Sequence, residues 1–220
     1  MADVLTDDVA ALIAAANPEP ESLLEEMAAH ARERGFPYVG PAVGQLLRTL
    51  AATNGAERVF EFGSGFGYSA AWWAAALPED GEIVLTDFDE SNLEDAREFL
   101  EGRYPPAFRY EVGDAFDSYG RHEGPWDAVL VDHDKGRYPE ALEVVRDDLN
   151  PGAVVVADNV MEGPVTPEEV RAALTGEAES PSEAAAGVAA YLEAVRDDPD
   201  FETALVPLGE GIAISTYRPE

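Results

Sequence analysis

Val59-Phe60-Glu61-Phe62-Gly63-Ser64-Gly65-Phe66-Gly67-Tyr68-Ser69 is the stretch from which the rest of the chain is read. An apolar lead-in, alternating glycines and an Ala-rich run from Ala70 to Leu77 spell a buried strand, a tight turn and a helix. Glycines suit a turn where a ligand touches backbone, because a Cβ would hold it off. The helix start beyond them offers N–H groups without intrahelical partners. The expectation is a nucleoside-cofactor site; a glycine-rich turn without a ligand is the alternative.

Spacing refines this. A dinucleotide fingerprint reads G-x-G-x-x-G, but here the third glycine, Gly67, comes one residue early and Tyr68 takes the expected place. A G-x-G-x-G turn preceded by an acid, Glu61, suits a cofactor with an amino-acid end, whose ammonium Glu61 would face.

Around this turn the 220 residues are expected to form one domain, 1–220, with a helical cap over 1–55 and an α/β core over 57–217. The chain has 45 acidic and 14 basic residues, a net charge of −31. Thirteen of the basic residues are arginine, and Lys135 is the only lysine. An acidic, lysine-poor surface is the pattern of halophilic proteins, whose concentrated cations screen the self-repulsion. The same charge argues against nucleic acid as a partner. Disorder is excluded by the 46% hydrophobic content and its clear periodicity. No cysteine is present, so disulfides, thiolate metal sites and thiol catalysis are ruled out. No 18-residue apolar run reads as a membrane span, and Met1-Ala2-Asp3-Val4 does not read as a signal peptide, so a cytoplasmic address is expected.

Helices are expected over Ala2–Ala16 (Val4, Leu5, Val9, Leu12 and Ile13 at helical spacing), about Glu21–Arg34 and, after a loop over Phe36–Pro41, a third that runs to about Thr53. Strands at Arg58–Phe62, Glu82–Thr86, Phe108–Val112, Ala128–Asp132 and Ala153–Ala157 then alternate with helices at about Ser69–Leu77, Glu90–Gly102 and Tyr138–Leu149. Such alternation predicts a doubly wound parallel sheet. Two more helices fall in Thr166–Asp198, and Glu202–Pro207 with Gly211–Tyr217 reads as an antiparallel hairpin.

In such sheets ligands lie at the carboxyl ends of the strands. Asp87, 24 residues beyond Gly63, suits two ribose hydroxyls, and Asp114-Ala115 suits an adenine edge. Strand four ends in Asp132-His133-Asp134-Lys135 and strand five in Asp158-Asn159. Asp132, Asp158 and Asn159 together offer three hard oxygens suited to Mg²⁺; the alternative is a turn cap at Asp158-Asn159. Lys135 is the candidate general base, since arginine does not deprotonate and since a nearby cation and burial both favour the neutral amine. His133 would pack on the cofactor or serve structure. His30 and His122 read as surface residues, and Trp72 and Trp73 as core.

These segments resemble the cation-dependent O-methyltransferases, the family that includes the catechol and caffeoyl-CoA O-methyltransferases. The resemblance runs from about Phe36 to Tyr217 and rests on Tyr38-Val39-Gly40, the glycine turn, Asp132 to Tyr138 and Ala157-Asp158-Asn159-Val160. It implies a Rossmann-like class I methyltransferase fold, a homodimer, and S-adenosylmethionine held by Val39, Glu61, Gly63, Ser64, Gly65, Tyr68, Ser69, Asp87, Asp114, Ala115, Asp132 and His133. It also implies Mg²⁺ on Asp132, Asp158 and Asn159, with Lys135 as base for a small hydroxylated acceptor, an aromatic vicinal diol. Two departures bear on that acceptor: Asp134 stands where catechol enzymes carry an aromatic wall, and the acid that contacts the second hydroxyl falls near Ala204. The other readings weighed are a methyltransferase for a hydroxylated tRNA base and a nucleotide-binding protein without catalysis.

Overall fold

The computed structural model describes residues 5–219. The residues 2–4 of the first expected helix lie outside them; that helix is seen as α1, Asp7–Ala16, followed by α2, Ser22–Arg34, and α3, Gly40–Asn54. Five parallel strands follow: β1 Arg58–Phe62, β2 Glu82–Asp87, β3 Ala107–Val112, β4 Trp126–Val131 and β5 Leu149–Ala157. Between them run α4 Tyr68–Ala74, α5 Glu90–Leu100, α6 Ala115–Tyr119 and α7 Tyr138–Val145. Helices α8, Pro167–Leu174, and α9, Glu183–Asp197, precede an antiparallel pair, β6 Phe201–Val206 and β7 Ile212–Tyr217. The short α6 was not anticipated, since five residues are too few to show a helical period.

The sheet order is β3-β2-β1-β4-β5-β7-β6, with β7 antiparallel to β5. Side chains alternate across the strands, so β1, β2, β4 and β5 each feed two cores. Val59, Ile83, Leu85, Ala128, Leu130 and Val156 pack under α2 to α5 on one face. Phe60, Phe62, Val84, Val129, Val131 and Val155 pack under α6, α7 and α9 on the other. Burial on both faces is why these strands read as continuous apolar runs. Trp72 and Trp73, 2% and 0% exposed, are core as expected.

From β1 the chain moves outward to β2 and β3, then returns to β4 on β1's other side. That reversal opens a crevice at the strand ends. Register sets what stands there: Phe62 pairs with Val131 and Val131 with Ala157, so Gly63, Asp132 and Asp158 emerge side by side.

Candidate active site

The β1 turn is locked by its neighbours. Gly63 N–H donates to Thr86 Oγ1 at 3.2 Å, and that hydroxyl donates to Glu61 O at 2.6 Å. Ser64 N–H bonds Thr86 O at 2.8 Å, and Gly65 N–H bonds Asp87 Oδ2 at 3.0 Å. Gly63 has φ +84°, and a Cβ there would lie 2.2 Å from the carbonyl oxygen of Asp132. The need for glycine at this position therefore comes from the approach of two strand ends, a reason distinct from the ligand contact that the sequence suggested.

A cavity of about 680 Å³ opens against this turn. Val39, Gly63, Ser64, Gly65, Tyr68 and Ser69 line one side, and Asp87 borders it. Asp132, His133, Lys135, Asp158 and Asn159 line the other. A second lobe of about 370 Å³ shares Gly63, Asp87, Asp132 and His133 and adds Ala115, Phe116, Phe88 and Arg137. Most of the residues singled out in the sequence thus meet in one crevice.

Two do not join its wall. Asp114 lines neither lobe: it caps α6 by accepting from Phe116 N at 2.8 Å and pairs with Arg137 at 2.7 Å. That Arg137 bond holds its carboxyl below the usual range. Arg137 in turn lies 3.9 Å above the Phe116 ring, so the lobe expected to meet an adenine is walled by this pair and Ala115. Glu61 is 0% exposed and sits on the core side of the turn, beside Ser64 and Ser69. Burial pushes its carboxyl up to about 7; the two serines and Trp73 temper the shift, yet neither oxygen has a partner in good hydrogen-bond geometry.

The opposite side is charged. Lys135, 7% exposed, donates to Asp132 Oδ1 at 3.0 Å and to Asn159 Oδ1 at 2.6 Å. It stands on a 3-10 turn, Lys135–Arg137, against which α9 packs so closely that a Cβ on Gly187 would lie 2.1 Å from Lys135 O. Asp158 is raised to about 7 by burial and then by the charge of Asp132. Tyr138 donates its hydroxyl to Asp158 O at 2.8 Å. Asn159 has φ +56°, a left-handed conformation uncommon outside glycine and concentrated at functional sites. His133 stacks on Tyr138 with ring centroids 5.3 Å apart, and neither ring nitrogen has a partner. Burial lowers its pKa to about 4, so it is a neutral ring at neutral pH.

Several features had no signal in the sequence. Phe36 reaches the cavity from the loop before α3, and its ring would meet a Cβ on Gly65 at 2.9 Å. Glu210 enters from the β6–β7 turn. Ala204 is exposed on edge strand β6 and does not line the cavity, so the expected position of an acceptor-contacting acid is corrected. His30 and His122 are half-buried, bonded to Asp95 and Glu111 at 3.0 Å and 2.9 Å, and are structural residues of the fold.

The O-methyltransferase family model matches residues 14–217. The chain belongs to the O-methyltransferase family. A putative O-methyltransferase of Mycobacterium marinum is 34% identical over 199 residues, 87% of this chain and 83% of that protein. A catechol O-methyltransferase of Niastella koreensis is 30% identical over 136 residues, 59% of this chain and 62% of its own. Among solved structures, the O-methyltransferase TomG of Streptomyces achromogenes, in complex with SAM, superposes with a TM-score of 0.80 at 26% identity, covering 96% of each chain. An O-methyltransferase of Bacillus cereus shares the fold at a TM-score of 0.80 and 24% identity, covering 96% and 97%. The crevice described above is therefore the candidate active site of an O-methyltransferase.

Proposed function

We propose that this O-methyltransferase moves a methyl group from S-adenosylmethionine to one hydroxyl of a small aromatic vicinal diol, with Mg²⁺ or a similar divalent cation at the acceptor. The observation that carries the reading is one cavity with two unlike walls, a glycine turn on one side and the Asp132, Asp158, Asn159 and Lys135 cluster on the other.

The cofactor reading is supported by the fit of the first wall and the second lobe. Ser64, Ser69 and Val39 border space for an amino-acid end, while Asp87, Ala115 and the unpartnered ring of His133 border space for a nucleoside. The complex of TomG with SAM supports the same cofactor here.

The cation reading is tested by the donor set. Among the described residues no three His, Cys, Asp or Glu side chains gather as a metal-binding group; the candidate here is two carboxylates and an amide. All three are hard oxygen donors, a set that fits Mg²⁺ with positions left for water and acceptor. The Lys135 ammonium already sits among two of these oxygens, so the protein stabilises positive charge at this point. A divalent cation held there would act as a Lewis acid on a diol oxygen and lower its pKa. Lys135 in its neutral form, its own proton released to solvent, would take the hydroxyl proton at Nζ, and the walls would align the two reactants, the larger share of the acceleration.

The test is methyl transfer from labelled S-adenosylmethionine to a panel of catechols in molar KCl, with Mg²⁺ or with EDTA. Transfer that requires Mg²⁺ is the expected result. Transfer that survives EDTA would reduce Asp132, Asp158 and Asn159 to structural roles. A hydroxylated tRNA base as acceptor finds no support in the wall, where Lys135 and Arg137 are the only cations beside five acids.

A further inference from the structure

Glu210 belongs to none of the motifs and stands 51 residues from Asn159. The β6–β7 turn brings its carboxylate into the cavity, where it accepts a hydrogen bond from Asn159 Nδ2. The turn is clamped to the segment after Asn159: Met161 and Glu162 N–H both donate to Glu210 O, at 3.1 Å and 2.8 Å, and Val160 N–H donates to Gly211 O at 3.0 Å. Space for the carboxylate comes from Gly163, where a Cβ would lie 2.5 Å from Glu210 Oε2.

Amide chemistry gives this contact its consequence. The two ends of the Asn159 side chain are nearly equal in shape but opposite in polarity, an acceptor oxygen and a donor nitrogen. A carboxylate only accepts, so it takes the nitrogen end. The oxygen end is then turned inward, where it receives Lys135 Nζ at 2.6 Å. Rotated by half a turn, the amide would present N–H groups to a cation, which is repulsive.

We propose that Glu210 is a positioning residue that fixes the orientation of the Asn159 amide and so keeps its oxygen available to the cation. The inference rests on the divalent-cation reading above. Groups that orient metal ligands in this way are worth about 10- to 100-fold in metal affinity.

The test is Mn²⁺ binding to the full chain without cofactor, followed by electron paramagnetic resonance, with circular dichroism as the check on folding. Glu210→Ala is expected to bind Mn²⁺ about 10- to 100-fold more weakly. Glu210→Gln, which keeps an acceptor, is expected to stay within a few-fold of the parent, whereas an equal loss in both would assign the effect to charge and overturn the proposal. Asn159→Asp supplies the decisive background, because a carboxylate shows oxygen at both ends. There, adding Glu210→Ala is expected to cost nothing; a loss as large as in the Asn159 background would overturn the proposal. Saturable binding by the parent chain with Glu210→Ala unchanged overturns the role of Glu210 alone. Absence of saturable binding by the parent overturns the cation reading together with it.

Discussion

On the β1–β2 side of the crevice the turn's amides and hydroxyls meet partners inside the protein: Gly63 N on Thr86, Ser64 N on Thr86 O, Gly65 N on Asp87. On the β4–β5 side, one ammonium bridges the Asp132 carboxylate and the Asn159 amide, Asp158 is raised to about 7, both nitrogens of His133 lack partners, and Asn159 is held at φ +56°. Unmet polarity inside a protein costs free energy unless something completes it. The first side is finished by the fold; on the function proposed above, the second is finished by what binds. Glu61 is the exception, a partnerless acid on the finished side.

The largest effect belongs at the unfinished side. Lys135→Arg keeps the charge but removes a group able to accept a proton. Turnover is expected to fall by about 10²- to 10⁴-fold, while S-adenosylmethionine affinity, measured by calorimetry, stays within a few-fold. Preserved turnover would end the assignment of the base. Equal losses in turnover and cofactor affinity would mean that the two sides are not separate.

Gly187 probes the same side from outside the cavity. Alanine normally stabilises a helix interior by about 1 kcal/mol relative to glycine. Here the added Cβ would lie 2.1 Å from Lys135 O, backbone that has no rotamer to yield. Gly187→Ala is expected to shift the lysine turn and lower kcat by about 10- to 100-fold, with cofactor affinity and helix content unchanged. A thermal melt alongside the rate would show whether the helix yields instead.

How much of this was legible follows from the same physics. β2, β4 and β5 announce themselves because burial on both faces forces unbroken apolar runs such as Val154-Val155-Val156, and β1 does so by Val59, Phe60 and Phe62 around the buried Glu61. The motifs at Gly63, Asp132 and Asp158 were visible because each follows such a strand, and strand register then brings them together. Glu210 was not visible: a Gly-Glu-Gly turn carries no sign that its acid reaches a loop 51 residues away. Phe36, Phe116 and Arg137 were missed for the same reason, since their roles come from packing between elements. For Asp114, position in the sequence predicts nearness to the crevice, while only the fold reveals that its side chain lines neither lobe and pairs with Arg137.

Glu61 tests the exception. A glutamate that ionises at 4.5 in the unfolded chain is held to about 7 here by burial. Between those values the folded protein carries the extra proton, so this contribution is full below 4.5 and is lost as pH rises through about 7. Glu61→Gln should therefore stabilise the protein at pH 8, by at most about 3 kcal/mol, and change little at pH 4. Urea melts at the two pH values read this directly. A similar gain at both would reflect packing rather than charge. If a cofactor ammonium sits near Glu61, saturating S-adenosylmethionine should shrink the gain at pH 8.

Thr86 tests whether the finished side is rigid because of its hydrogen bonds or merely because of its glycines. Its hydroxyl takes Gly63 N–H and gives its proton to Glu61 O, so one side chain joins the end of β1 to the end of β2. Thr86→Val keeps the branched shape in a site that is 0% exposed and leaves both backbone groups without that partner. Each buried group left unmet costs about 1–3 kcal/mol before relaxation. A net loss of about 1–2 kcal/mol is expected, with S-adenosylmethionine affinity reduced a few-fold and the rate at saturation unchanged. A fall in that rate instead would place the β1 turn among the parts that align the reacting atoms, and the division between a side finished by the fold and a side finished by its ligands would fail there.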